Sequence, residues 1–208
     1  ANGFERPSQI QQKAIKPLMD GRDIIAQSQS GTGKTGTFVI AAIERIDKKL
    51  HEPQVIILSP TRELAKQTLD VCTALTRFHN EIDTHLAIGG VGRTMSSRKY
   101  GHLRKGGGSS KTEAGEDIIN GKIIVGTPGR ILDMIDRRDL PTIDIKILTF
   151  DEADEILSHR FKECIHDIIQ RVDKTTQICL FSATLPDEIL ELTDKFMNKP
   201  ERVLVKKE

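Results

Sequence analysis

Several features that would place this chain in other classes are missing or scarce. Only three cysteines occur in 208 residues, Cys72, Cys164 and Cys179. They lie far apart with no C-x-x-C pair, which argues against a disulfide framework or a cysteine zinc site and suits a reducing compartment, cytoplasmic or nuclear. No apolar run approaches the roughly 20 residues of a membrane-spanning helix, so a membrane is not an expected partner. The opening Ala1 to Arg6 has no apolar core of the kind a secretory signal carries. An excess of one charge is lacking too: Lys+Arg 31 against Asp+Glu 30 leave a net charge of +1, so any basic surface for nucleic acid must be local. There is no internal repeat. What remains, 37% hydrophobic and 29% charged, describes a globular chain long enough for one domain with a sizeable core.

Against that background one stretch carries chemistry. Asp23-Ile24-Ile25 reads as a strand, Thr37 to Ile43 as a helix, and between them lie Ser28-Gln29-Ser30-Gly31-Thr32-Gly33-Lys34-Thr35. The form is close to G-x-x-x-x-G-K-[ST], with Ser28 where the first glycine is expected. Gly31 and Gly33 let the backbone turn so that successive N–H groups and the positive end of the following helix face anionic oxygens. Lys34 supplies a cation for terminal phosphates, and the Thr35 hydroxyl suits Mg²⁺.

The rest of the chain alternates strands and helices, which predicts an α/β fold with a parallel sheet. Pro7 to Leu18 has helical spacing, with Pro7 suited to the first turn. Val55 to Ser59 is an apolar run of the kind a doubly buried strand needs, and Pro60 opens a helix reaching about Phe78. Strands follow at His85 to Ile88, Ile123 to Val125, Ile145 to Phe150, Ile178 to Phe181 and Val203 to Val205. Ligands of such sheets bind beyond the strands' carboxyl ends, and the polar and glycine-bearing clusters all fall there. The rhythm breaks between Arg93 and Asn120, where Arg104 to Lys111 is glycine-rich and basic and reads as a surface loop.

Asp151-Glu152-Ala153-Asp154 follows a buried strand, which brings its first carboxylate out beside the phosphate loop. Asp151 then suits a Mg²⁺-holding role and Glu152 the orientation or deprotonation of an attacking water. An acidic helix start is the bland reading of the same residues.

The tetrad D-E-A-D gives the DEAD-box RNA helicases their name, and this chain resembles the first of their two RecA-like domains over nearly its whole length. Gly3 to Gln11 resembles the family's Q motif. Pro60 to Ala65, Gly89-Gly90, Thr127 to Arg130 and Ser182-Ala183-Thr184 resemble the remaining motifs in order. Ser182 to Leu190, Lys195-Phe196-Met197 and Arg202 to Lys207 look most like the eukaryotic initiation factor four-A subgroup.

The resemblance implies a RecA-like P-loop NTPase fold, a parallel sheet flanked by helices on both faces. Residues 1–208 would form the nucleotide-binding domain, and a second RecA-like domain would lie outside this chain. It implies an ATP-dependent RNA helicase that hydrolyses ATP to ADP and phosphate with Mg²⁺, in translation initiation or RNA processing, with scaffold proteins as further partners. Phe4, Arg6 and Gln11 would recognise adenine. The Gln11 amide matches the donor and acceptor edge of that base, and Phe4 can stack on it. Thr61, Arg62, Gly90, Thr127, Gly129 and Arg130 would form a surface for single-stranded or locally duplex RNA. Asp154, Ser182 and Thr184 would couple nucleotide state to RNA binding, with helix capping before Pro186 as the plain alternative for the last two. The stretch between Gly90 and Thr127 is longer than the family pattern. An ATP-gated RNA clamp, and a small-molecule phosphotransferase on the same scaffold, are the competing functions.

Overall fold

The computed structural model describes residues 6–89, 121–157 and 161–205. Phe4, Gly90 and the glycine-rich basic stretch therefore lie outside the described residues. Seven strands among the described residues form one parallel sheet in the order β3-β4-β2-β5-β6-β1-β7. They are β1 (Ile24–Gln27), β2 (Val55–Leu58), β3 (Thr84–Ala87), β4 (Ile123–Gly126), β5 (Ile147–Asp151), β6 (Gln177–Ser182) and β7 (Glu201–Leu204). Every residue of β2, β4, β5 and β6 is buried, because the sheet is covered on both faces and neither set of alternating side chains meets water.

The covering helices are α1 (Gln9–Met19), α2 (Lys34–Arg45), α3 (Arg62–Thr76), α4 (Pro128–Asp136), α5 (Ala153–Ile156), α6 (Lys162–Arg171) and α7 (Asp187–Phe196). Two apolar clusters divide between the faces. Ile10, Phe38, Val39 and Ala65 of α1 to α3 pack with Ile24, Val55 and Ile57. Ile131, Ile156, Ile168 and Ile189 of α4 to α7 pack with Ile25, Ile56, Leu148 and Phe150. The period-two alternation along β1 and β2 sends neighbouring residues to opposite clusters.

Some boundaries differ from the sequence reading for local reasons. Pro7 stands outside the first helix, because Ser8 is its N-cap and forms a capping box with Gln11. The α3 helix stops at Thr76, leaving the Phe78 ring 81% exposed beside the Arg77 guanidinium. Ile145 and Lys146 precede β5, and Asp151 is that strand's last residue.

Candidate nucleotide and RNA site

Parallel strands end on one edge, so the segments after β1, β2, β3, β4, β5 and β6 converge there. The phosphate loop is fastened to the neighbouring strand: Ser28 N–H donates to Ser182 O at 3.0 Å and Gln27 Nε2 to Ala183 O at 3.1 Å. Behind it the Phe38 ring of α2 packs on Phe181 of β6, with centroids 5.0 Å apart.

Gly31 and Gly33 take φ of 79° and 92°, the left-handed region in which a side chain is strained. At Gly33 a Cβ would also come within 3.0 Å of Gln11 Nε2 and 3.1 Å of Ser8 Oγ. The glycine therefore lets the phosphate loop and the start of α1 meet. Gln11 is only 5% exposed, so it is not a solvated helix glutamine. Its Oε1 accepts from Ser8 N–H at 2.9 Å, which leaves one lone pair of that oxygen and the amide group for another partner.

Lys34 is the buried cation of the site. Its ammonium, on a side chain 5% exposed, lies 3.2 Å from Glu152 Oε1. It also donates to Glu152 Oε2 at 3.3 Å and to Ser28 O at 3.1 Å. Thr32 closes the loop from within: its Oγ1 donates to Gln29 O at 2.8 Å and is hydrogen-bonded to Ser28 Oγ at 2.9 Å. Ser30 Oγ reaches Glu152 Oε1 at 3.4 Å. Glu152 itself has φ 55° and ψ 57°, a left-handed conformation that costs a glutamate about 1–2 kcal/mol.

The adjoining Asp151 is almost wholly buried, and Thr68 Oγ1 donates to its Oδ2 at 3.3 Å. Burial, reinforced by the Glu152 charge, pushes the Asp151 carboxyl up to about 6 despite the opposing pull of Lys34 and the Thr68 hydrogen bond. Three residues on lies Asp154, to whose Oδ2 Thr184 donates through Oγ1 at 2.7 Å and through its backbone N–H at 3.1 Å. Ser182 Oγ accepts from Asp154 N–H at 3.2 Å. Burial works to raise the Asp154 carboxyl, and the bonds from Thr184 and Ser182 outweigh it and hold the group below its ordinary value. The N-cap of α7 is Pro186, with no side-chain capping bond, so Ser182 and Thr184 tie α5 to the end of β6 and do not cap the next helix. Asp154 Oδ1 is buried with no partner among the described residues.

A second group gathers farther along the same edge. Arg62, Gly89, Thr127, Gly129, Arg130 and Asp133 line an open cavity of 330 Å³. Arg130 is held by Asp133, which also accepts from Arg137 Nε at 2.8 Å; the sequence pattern did not single out this acid. Thr61 is not part of that lining, and its Oγ1 caps α3 by accepting from Leu64 N–H at 3.2 Å. His85 of β3 is buried, and desolvation together with the Arg130 charge lowers its imidazole to about 4. Among the described residues no cluster of three or more His, Cys, Asp and Glu side chains could hold a metal by itself, so any cation here would need oxygens from another source.

Relatives and solved structures match this chain along nearly its whole length. Two relatives, the ATP-dependent RNA helicase eIF4A of Eremothecium gossypii and that of Aspergillus niger, are 50% and 49% identical to this chain. The alignments cover 99% and 100% of this chain and 48% of each relative, so the chain spans about half their length. S. cerevisiae Dbp5 bound to RNA and ADP BeF3 superposes with a TM-score of 0.80 at 33% identity, over 98% of this chain and 47% of that one. A DEAD box protein from the hyperthermophile Methanococcus jannaschii superposes with a TM-score of 0.77 at 35% identity, over 98% and 51%. These neighbours share the RecA-like arrangement of parallel sheet and flanking helices. The DEAD/DEAH box helicase profile matches residues 8–192, and with its phosphate loop, its D-E-A-D strand end and its ordered motifs along one sheet edge the chain belongs to that family.

Proposed function

We propose that the chain is the nucleotide-binding domain of an ATP-dependent RNA helicase acting in the cytoplasm, in translation initiation or RNA processing, and working against a second RecA-like domain. The observation that carries the reading is the pairing of buried Lys34 with Glu152 across the phosphate loop. A buried ammonium needs a counter-charge, and here it uses the carboxylate assigned to the attacking water. Arriving β- and γ-phosphates supply that counter-charge themselves, and Glu152 is then free to orient or deprotonate water. Nucleotide binding and activation of the base thus become one event.

The other roles follow from position. Ser28 to Thr35 would wrap the phosphates, with backbone N–H groups at the start of α2 aimed at them. Gln11, next to Gly33, would meet adenine with its amide, together with Arg6 and Phe4. Mg²⁺ would fit the oxygens of Asp151, at the end of β5, and Thr35, in the first turn of α2, and it would neutralise charge on the phosphates. Arg62, Thr127, Gly129 and Arg130, joined by Thr61 and Gly90, would hold the RNA backbone without reading bases. The Asp154, Ser182 and Thr184 bonds would carry nucleotide state from α5 toward β6.

The deciding experiment is ATPase turnover of the longest natural form of the protein, with and without single-stranded RNA, beside a duplex-separation assay. Turnover stimulated by RNA, with strand separation, is expected. Turnover indifferent to RNA would replace this reading with a small-molecule phosphotransferase. A long-lived ATP-bound RNA complex without strand separation would replace it with a clamp.

A further inference from the structure

Four helical threonines are buried among the described residues: Thr37, Thr68, Thr76 and Thr193. A threonine inside a helix ordinarily returns its hydroxyl to the carbonyl four residues back, and three of these do so. Thr37 donates to Gly33 O at 2.9 Å, Thr76 to Cys72 O at 2.9 Å and Thr193 to Ile189 O at 2.6 Å. Thr68 does otherwise. Its Oγ1 donates across to Asp151 Oδ2 at 3.3 Å, to a residue 83 positions away in sequence. The inner face of α3 is made of Ala65, Thr68, Cys72 and Thr76, small side chains that bring the helix close to the sheet. Cys72 and Ala65 contribute no comparable hydroxyl, so Thr68 is what α3 offers to the carboxylate.

A second hydroxyl nearby sharpens the contrast. Leu58 pairs with Phe150 across β2 and β5, which sets the next residues, Ser59 and Asp151, side by side. Ser59 is fully buried, yet its Oγ has no partner among the described residues. Of the two buried hydroxyls beside Asp151, one is bound to the carboxylate and one is idle.

We infer that Thr68 is a positioning residue for Asp151. By occupying Oδ2 it restrains rotation of the carboxylate, so that Asp151 meets the metal already oriented. The inference rests on the reading of Asp151 as a Mg²⁺-holding group. Hydrogen bonds to a metal-ligating carboxylate commonly set metal affinity, and losing one lowers that affinity by roughly 10–100-fold.

Calorimetric titration of the 208-residue chain with ADP, at Mg²⁺ concentrations stepped upward from an EDTA-containing buffer, separates the steps. Thr68→Val keeps shape and removes the hydroxyl; Thr68→Ala removes it in a smaller side chain and serves if valine impairs folding. Both should leave the metal-free ADP affinity within twofold of wild type and raise the Mg²⁺ midpoint by about 10-fold. Thr68→Ser should restore the wild-type midpoint, and Ser59→Ala should not move it. A midpoint within twofold of wild type in Thr68→Val and Thr68→Ala overturns the inference. So does an equal shift in Ser59→Ala, which would show that any change to this wall has the same effect. Asp151→Asn tells the two levels apart: if it leaves the Mg²⁺ dependence unchanged, the metal assignment of Asp151 fails first.

Discussion

Replacing Asp151 by asparagine should make the protein more stable, by an amount that depends on pH. The carboxyl is buried beside the Glu152 charge and sits at about 6 in the folded chain, against an ordinary value of about 4 when unfolded. Because the folded value is the higher one, the folded state holds the proton more tightly. Wild-type stability is therefore undiminished below about pH 4 and falls as pH rises through the window to about 6. Ionising the group in place costs about 3 kcal/mol at pH 8 and roughly half of that at pH 5. Asparagine has a similar shape and does not ionise. Urea unfolding of wild type and Asp151→Asn, followed by circular dichroism at pH 5, 6, 7 and 8, measures the difference directly. The variant's advantage should grow between pH 5 and pH 7 and level off at pH 8. An advantage that does not change with pH, or an asparagine variant less stable at pH 8, would refute the reasoning that burial and the neighbouring charge dominate at this position.

Four further outcomes test the site. Glu152→Gln in the longest form should lower ATP turnover by about 10²–10⁴-fold while ADP affinity, read by calorimetry, stays within a few-fold of wild type. Gly33→Ala should lose about 1–2 kcal/mol of stability from its left-handed backbone, and ADP binding should weaken because the new Cβ presses on Gln11 and Ser8; thermal denaturation and calorimetry read both. Gln11→Ala should narrow the preference for ADP over GDP, since guanine presents acceptors where adenine offers a donor and an acceptor; competition titration with the two nucleotides checks it. Arg130→Ala in the longest form should weaken single-stranded RNA binding by a similar factor for every sequence and reduce its salt dependence, as fluorescence anisotropy at stepped salt will show.

The sheet and the glycine turn between β1 and α2 were legible for one reason: both are written in local sequence. A four-residue run such as Val55-Ile56-Ile57-Leu58 is apolar throughout because both faces of its strand are covered. Gly31, Gly33 and Lys34 are residue types that a phosphate turn requires at fixed offsets. The capping box of Ser8 and Gln11 has the form S-x-x-Q, a local signal that a helix start at Pro7 passed over; the burial of Gln11 against Gly33 has no such signal, since it depends on two segments meeting. Thr68 and Ser59 escaped for the same reason. Nothing in the spacing of α3 separates a threonine that bonds its own helix from one that reaches a strand 83 residues on. Asp133 resembled any exposed helix acid until Arg130 and Arg137 were placed on either side of it. Thr184 was a plain capping candidate for α7 in the sequence, and its 2.7 Å bond to Asp154, with Pro186 as the N-cap, sets that alternative aside.

Independently of the motifs, two neighbouring residues of this edge carry unfavourable features. Asp151 and Glu152 are consecutive, and each is unfavourable for folding on its own account. One is a buried carboxyl held far above its ordinary value; the other is a non-glycine residue in the left-handed region. Strain of about 1–2 kcal/mol at Glu152 and the ionisation cost at Asp151 would be removed by almost any glycine or amide at those positions. The surrounding sheet has regular parallel pairing and two continuous apolar clusters, so the unfavourable pair is borne by a rigid support. Its orientation explains what that support achieves. The left-handed turn at Glu152 ends β5 abruptly and swings the chain into the single turn of α5, which leaves Glu152 facing Lys34 while Asp154 faces Thr184. An extended residue at position 152 would continue the strand, and the two carboxylates would no longer address the phosphate loop on one side and the end of β6 on the other. The strained backbone at Glu152 is thus the geometric condition under which one four-residue segment touches both the nucleotide loop and the strand end leading toward α7.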